Sequence, residues 1–231
     1  MPTAEWNQRW ARGLRRFRRN DEDGHYGDHW GDPTLSSLRF HLRRLRGDKP
    51  SPGNLAKVVK RYLRPHVTPD AVVLEIGPGG GRWTQFLVGA REVVLVDLNA
   101  QFFRYLRKRF RRHRRKLRFY QTSGYELGGI DDGSIDFVFS FGTFVHIEPE
   151  GIGEYLGEIA RVLRSGGTGT IQYADRTKPF IQAVPDFGGF SDMNAPRMEG
   201  LVADHGLEIV EHDRKLLDHS NVVVIRKPAA A

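Results

Sequence analysis

The sequence predicts an α/β fold: a doubly wound, mostly parallel seven-stranded sheet with a terminal antiparallel strand, preceded by an N-terminal helical extension. Three observations predict it. Short valine-rich apolar runs alternate with amphipathic helical stretches beyond residue 53, and that alternation implies parallel pairing with helices on both faces. A glycine-dense turn follows the first apolar run directly. The last two apolar runs have no helix between them, so they pair antiparallel or sit apart, and a terminal hairpin closing the sheet is the expected result.

The elements follow in order. Asp48–Gly53, with Pro50 and Pro52, breaks the chain. It separates residues 1–52, an extension or lid, from a domain over residues 53–231. The extension holds Trp6, Trp10 and Trp30, a short basic helix over Arg39–Arg46, and a polar, aromatic cluster from His25 to Pro33. In Asn54–Leu63, Leu55, Val58, Val59 and Tyr62 recur at helical spacing, and Pro65 ends the pattern. Strands are expected over Ala71–Ile76, Glu92–Leu98, Leu117–Thr122, Ser134–Phe141, Thr168–Tyr173, Leu207–His212 and Asn221–Arg226. Helices are expected over Arg82–Val88, Ala100–Arg112, Gly153–Leu163 and Pro196–His205. The second of these carries Phe102, Phe103, Leu106 and Phe110 on its apolar side.

Composition narrows the class. Hydrophobic residues make up 39% and charged residues 28% of 231, which suits a soluble globular chain. No apolar run reaches the roughly 18 residues of a membrane span. The arginine-rich start lacks the apolar stretch of a secretory signal, so the expected location is cytoplasmic. With no cysteine, disulfides, thiolate metal sites and cysteine nucleophiles are excluded. The net charge of +8 sits largely in Arg9–Arg19 and Arg104–Arg118. Such runs are either phosphate-binding footprints or solvated faces, and the second reading is the commoner.

The richest signal is Glu75-Ile76-Gly77-Pro78-Gly79-Gly80-Gly81-Arg82-Trp83-Thr84. A buried strand enters a turn whose glycines allow positive φ and close ligand approach, at the sheet edge where α/β folds bind ligands. Arg82 stands where a dinucleotide fingerprint needs its third glycine, and the Gly-Lys-Ser/Thr of a phosphate loop is missing. The second strand ends at Asp97, twenty residues after Gly77. A carboxylate there suits both hydroxyls of a ribose, although Asp97 or Asn99 would also cap the helix that follows.

This pattern resembles motif I of the class I S-adenosylmethionine (SAM)-dependent methyltransferases, which have a Rossmann-like sheet. The resemblance covers roughly Ala71–Tyr173. It implies SAM as cofactor, with Glu75, Gly77, Pro78, Gly79, Gly81, Trp83, Asp97 and Leu98 about it. It places the adenine ring near Gly124 and Tyr125, and a closing loop at Ser140 and Phe141. The aspartate that such enzymes often carry near Gly124 for the adenine amino group is absent, so backbone groups or Glu126 would have to substitute. Asp132–Asp136 resembles the usual turn into the fourth strand. Arg161–Gly167 resembles the glycine turn before the fifth, with Gly166 or Gly167 a helix C-cap.

SAM carries its own electrophile, so the protein need only align an acceptor, exclude water and, for a hydroxyl, supply a base. His146, just past the fourth strand, is the first candidate; capping a turn is its structural alternative. Tyr173 and Asp175 end the fifth strand at the same edge, where Asp175 is a base, a site for a cationic acceptor, or a turn cap. Ser140–Gly142 holds no carboxylate, so no metal is expected. Lys178–Gly189 and Ser191–Arg197 are expected to line an acceptor pocket. The expected activity is methyl transfer to an oxygen or nitrogen of a small molecule. The alternative is an RNA methyltransferase whose arginine runs grip the backbone, but Arg104–Arg118 follows Asp97 and lies off the acceptor edge. A SAM-binding protein without catalysis would often lose the glycine loop or Asp97, and both are present.

Overall fold

The computed structural model describes residues 8–9, 11–16, 53–184 and 189–229. The expected helix over Arg39–Arg46 and the His25–Pro33 cluster lie outside the described residues. Among the described residues seven strands form one sheet: β1 Val72–Ile76, β2 Glu92–Asp97, β3 Leu117–Gln121, β4 Ile135–Ser140, β5 Leu163–Ala174, β6 Glu208–Asp213 and β7 Ser220–Arg226. Their order is β3-β2-β1-β4-β5-β7-β6. The pairs from β3 to β5 are parallel, and β7 runs antiparallel between β5 and β6. From residue 53 onward the described α-helices are α1 Gly53–Lys57, α2 Thr84–Leu87, α3 Ala100–Arg109, α4 Pro149–Val162, α5 Pro179–Ala183 and α6 Ala195–Asp204, with shorter turns between them.

Every residue of β1 is buried, because helices cover both faces of a parallel sheet. Alternation along the strands splits the core in two. Leu74, Ile76, Val94 and Val96 pack with Ile152, Leu156 and Ile159 of α4 and with Met198 and Val202 of α6. Val73, Val93, Leu95, Phe137 and Phe139 pack with Leu87 of α2, Phe102, Phe103 and Leu106 of α3, and Leu14 of the helical residues 11–16. Leu14 is fully buried, a placement that stabilises a leucine by about 1.5–3 kcal/mol.

Several boundaries differ from the sequence reading, among them α2, which starts at Thr84 rather than Arg82, and β5, which starts at Leu163 rather than Thr168. The helix expected over Asn54–Leu63 is an α turn that widens into a π-helix at Val58–Leu63 and tightens to a 3₁₀ turn at Arg64–His66, since Pro65 cannot continue a regular ladder. α3 stops at Arg109 rather than Arg112, where Phe110 leaves helical geometry (φ −104°, ψ 32°) to bury its ring. α4 begins at Pro149, not Gly153, with proline in its first turn. Gly151 sits inside α4 because a Cβ there would lie 2.4 Å from the Tyr125 ring. Neither Gly166 nor Gly167 caps a helix: α4 ends at Val162 with an extended Leu163 as its cap, and the chain enters β5 at once. Gly166, at φ +73°, and Gly167 instead form the irregular start of β5.

A Cβ at Gly167 would lie 2.9 Å from the Arg164 carbonyl oxygen and 3.2 Å from that of Ile135, whereas one at Gly200 of α6 meets nothing within 4 Å. Gly167→Ala is therefore expected to lower stability by about 1–3 kcal/mol through overpacking. Gly200→Ala is expected to raise it by about 0.5–1 kcal/mol through helix propensity. Urea unfolding of both variants beside the wild type checks the opposite signs.

Candidate functional site

β1, β2, β4 and β5 bring their carboxyl ends to one edge of the sheet, and the chain reverses direction of travel between β1 and β4. That switch point opens a cleft between the two strand ends, and the glycine turn sits on its rim. The Gly77 amide still donates to the Val96 carbonyl at 2.8 Å, and Gly81 closes a turn onto the carbonyl of the buried Pro78 at 2.8 Å. The three glycines of the pattern divide the work. A Cβ on Gly77 would collide with Thr143 of the β4 loop, and one on Gly81 (φ +81°) would lie 2.6 Å from the Phe110 ring and 2.7 Å from Leu106. Both are needed for packing. Gly79 (φ +49°) has nothing within 4 Å of its missing Cβ, so a ligand can reach its backbone.

Two of the residues expected around the cofactor brace this turn from within. Glu75 is buried and accepts a 2.6 Å hydrogen bond from Thr84 Oγ1. Burial pushes its carboxyl up to about 8, against the pull of the Thr84 bond and the Arg109 charge. Trp83 is buried against Phe139 and Phe141, at ring distances of 5.6 and 4.5 Å.

Asp97 stands across the turn. Its Oδ1 accepts from the Asn99 amide at 2.9 Å and its Oδ2 from the Gly79 amide at 3.3 Å. Burial raises it to about 6, and those two bonds oppose the rise. The helix cap is Asn99, whose Oδ1 accepts from the Gln101 amide at 3.0 Å. Leu98 is half-buried, and its carbonyl accepts from Gln121. Beyond β3, the Tyr125 ring meets Tyr155 edge-on at 5.4 Å, and the Tyr155 hydroxyl donates to the Gly124 carbonyl at 3.4 Å. Burial and the charges of Asp97 and Glu126 raise the Tyr155 hydroxyl, so these groups lie around one volume. Glu126 does not reach into it: Oε1 takes the Ser123 amide and hydroxyl at 2.6 and 2.9 Å. A carboxylate, an open glycine backbone and two tyrosines in this order fit an adenosine moiety.

On the β4 side Ser140 is buried and ties back to the Ile76 carbonyl at 2.9 Å, while Phe141 packs on Trp83. The Gly142 amide donates to Gln172 Oε1 at 2.8 Å. His146 ends the short turn that follows. Its Nδ1 lies 3.3 Å from the Gly189 carbonyl, and its ring meets Phe190 edge-on at 5.5 Å. Burial pushes its pKa down to about 4, and the charge of Arg9 adds to the fall. The ring is thus neutral at pH 7, with Nδ1 carrying the proton and Nε2 the lone pair.

Tyr173 and Asp175 sit in a buried network rather than at an open surface. Asn221 Nδ2 donates to the Tyr173 hydroxyl at 2.9 Å and to Asp175 Oδ2 at 2.7 Å. Since its lone pair is engaged by Asn221, Tyr173 donates to His212 Nε2 at 2.6 Å, and His212 Nδ1 faces Glu199 at 3.1 Å. Asp175 Oδ1 accepts from the Thr177 amide and hydroxyl. Sequence reasoning missed Asn221, His212, Gln172 and Thr143. The one available signal was a polar residue heading the apolar run of β7. Among the described residues no cluster of three His, Asp or Glu side chains is arranged to hold a metal, and no helix is long and apolar enough to cross a membrane.

Comparison with known proteins places this geometry. Residues 73–167 match a family model described as a methyltransferase domain. No curated protein matches the chain. A Galdieria sulphuraria protein provisionally described as a sarcosine dimethylglycine methyltransferase is 15% identical, with a TM-score of 0.65 over 96% of this chain and 99% of that one. A SAM-dependent methyltransferase from Methanosarcina mazei is 17% identical, with a TM-score of 0.60 over 74% of this chain and 98% of that one. The CurJ carbon methyltransferase is 15% identical with a TM-score of 0.54; 70% of this chain is covered, and it spans half the length of that one.

The Glu75 carboxyl titrates at about 8 when folded against an ordinary value of 4.5. The folded state therefore holds a proton that the unfolded chain releases, so stability falls as pH rises from about 4.5 to about 8. Glu75→Gln is expected to remove that component. Its stability relative to wild type should rise between pH 5 and pH 8, as measured by urea unfolding at each pH.

Proposed function

We propose that the chain, whose residues 73–167 match a methyltransferase domain, is a class I SAM-dependent methyltransferase that methylates an oxygen or nitrogen of a small-molecule acceptor, with His146 as the group that takes the acceptor's proton. The observation that carries this reading is the neutral, half-buried His146 at the end of β4, with Nδ1 held on Gly189. SAM supplies a sulfonium methyl to which an acceptor lone pair bonds as the carbon–sulfur pair returns to sulfur. The Asp97 carboxylate would hold the two ribose hydroxyls, the Gly79 backbone would lie against the amino-acid end, and Tyr125 would flank the adenine. Ser140, Gly77 and Gly81 shape the cleft without needing to touch the cofactor.

His146 Nε2 would accept the proton released from the acceptor. A base near pKa 4 is weak, so it matches a phenol-type hydroxyl or an already neutral amine better than an alkyl alcohol. The small amines named for the Galdieria protein support the same acceptor class. Asp175 and Tyr173, engaged by Thr177, Asn221 and His212, are assigned to hold the wall of the acceptor pocket. Residues 8–9 and 11–16 would cover the site from the N-terminal side: Arg9 acts on His146, and Leu14 anchors residues 11–16 in the core. RNA as the acceptor gains little here, because the Arg111–Lys116 turn contacts the amino end of β2 rather than the cleft.

The test is a radiolabelled-SAM transfer assay over a panel of phenols, small amines and bulk RNA, with calorimetry of S-adenosylhomocysteine binding beside it. Asp97→Ala should weaken that binding about 30- to 100-fold, the loss of charge-assisted hydrogen bonds. His146→Gln should leave binding unchanged and lower kcat by about 10²–10⁴. The wild-type rate should be flat from pH 5 to 7 and fall only near pH 4, where the ring gains its proton. Label incorporated into RNA alone would refute the proposed acceptor class.

A further inference from the structure

The positive charge of this chain is segregated. Of its 36 Lys and Arg, ten lie between Leu98 and Tyr125, a stretch that holds none of the 28 Asp and Glu. The rest of the chain, with 26 basic and 28 acidic residues, is close to neutral. A merely solvated face carries both signs interspersed, whereas this one does not.

The structure shows how the charge is displayed. Arg111–His113 form a 3₁₀ turn after α3, closed by the His113 amide on the Phe110 carbonyl at 2.8 Å and the Lys116 amide on the His113 carbonyl at 2.9 Å. Both ends are fixed. Phe110 and Leu117 are buried in the core, and Lys116 Nζ donates to the Val88 and Ala90 carbonyls at 3.2 and 2.7 Å. Arg111, Arg112, Arg114 and Arg115 are exposed on this turn, and none has a carboxylate partner among the described residues. Arg104, Arg107 and Lys108 extend the surface along the exposed side of α3. Arginines on a rigid turn lose little entropy on contact and match phosphate oxygens in pairs.

We propose that the Arg111–Arg115 turn, with the exposed side of α3, is a docking surface for nucleic acid, gripped through its phosphates without reading bases. A membrane surface fits less well. The apolar residues of α3 (Phe102, Phe103, Leu106 and Phe110) are buried in the core, so the surface has no apolar anchor to insert. The turn also lies at the amino ends of β2 and β3, where Val93 pairs with Leu117, while Asp97 pairs with Gln121 at the other end. Four residues of strand, about 13 Å, separate the turn from the cleft. Nucleic acid held there leaves the cofactor site open, so the surface tethers the enzyme rather than presenting its methyl acceptor.

Fluorescence anisotropy with a short labelled RNA tests this on the full chain. Four phosphate contacts to a single strand give a salt slope near −2.8, so affinity should fall about 50-fold between roughly 50 and 200 mM salt. A variant with Arg111→Ser, Arg112→Ser, Arg114→Ser and Arg115→Ser should lose that slope and most of the binding. It should still bind S-adenosylhomocysteine as the wild type does, which certifies its fold. A control with Arg12→Ser, Arg15→Ser and Arg16→Ser should keep both. The proposal is overturned if the wild type does not bind at low salt, if the first variant keeps the slope, or if the control loses it. It is also overturned if vesicles containing phosphatidylserine bind the wild type more tightly than RNA. Failure of cofactor binding would count against the methyltransferase reading and leave this result standing.

Discussion

The turn that leaves β1 is the constraint on which the site depends. Between Ile76 and Thr84 the chain must end a strand, reverse, and start a helix while leaving its backbone open toward the cleft. Three contacts from different parts of the fold hold it. Thr143 from the β4 loop fits against Gly77, Phe110 and Leu106 from α3 fit against Gly81, and the buried Glu75 anchors Thr84 at the start of α2. The hydrogen bond from Gly79 to Asp97 then fixes the turn relative to the end of β2. Moving any of these elements changes where the open backbone of Gly79 and the Asp97 carboxylate sit relative to one another. The sheet order matters because it brings these supports to one edge.

Much of that frame was legible in the residues. The apolar runs at Val72–Ile76 and Glu92–Asp97 admit few alternatives to buried parallel strands, and a glycine turn between strand and helix has a narrow set of uses. What was illegible follows from contacts distant in sequence. Nothing local says that α3 must stop at Arg109; Phe110 stops it because the core needs its ring. Two glycines near the start of α4 look like breakers, yet Gly151 is helical because Tyr125, from the loop after β3, fills the space beside it. Gly166 and Gly167 follow a helix and look like its cap, but the start of β5 runs past the carbonyls of Ile135 and Arg164 and admits no side chain at Gly167. The Tyr173–Asn221–Asp175 network joins residues 46 and 48 positions apart. Periodicity reports which face a residue occupies, not which polar partner waits across the sheet.

The charge on the two edges of the sheet completes the physical picture. At the cleft, burial keeps two titratable groups neutral at pH 7: Glu75 as the acid, with its carboxyl near 8, and His146 as the base, with its ring near 4. Asp97, at about 6, keeps most of its charge because the Asn99 and Gly79 amides offset part of the burial. The opposite edge carries exposed arginines around Arg111–Arg115. Methyl transfer to a neutral acceptor moves the positive charge of the sulfonium away from sulfur as the reaction proceeds. A cleft with few fixed charges stabilises the localised cation little and its dispersed form comparatively well. The ribose role proposed for Asp97 would put a carboxylate away from the methyl group, where it would serve binding without holding the charge in place. The exposed arginines of the Arg111–Arg115 turn stand about a Debye length or more from the cleft, so their field there is largely screened.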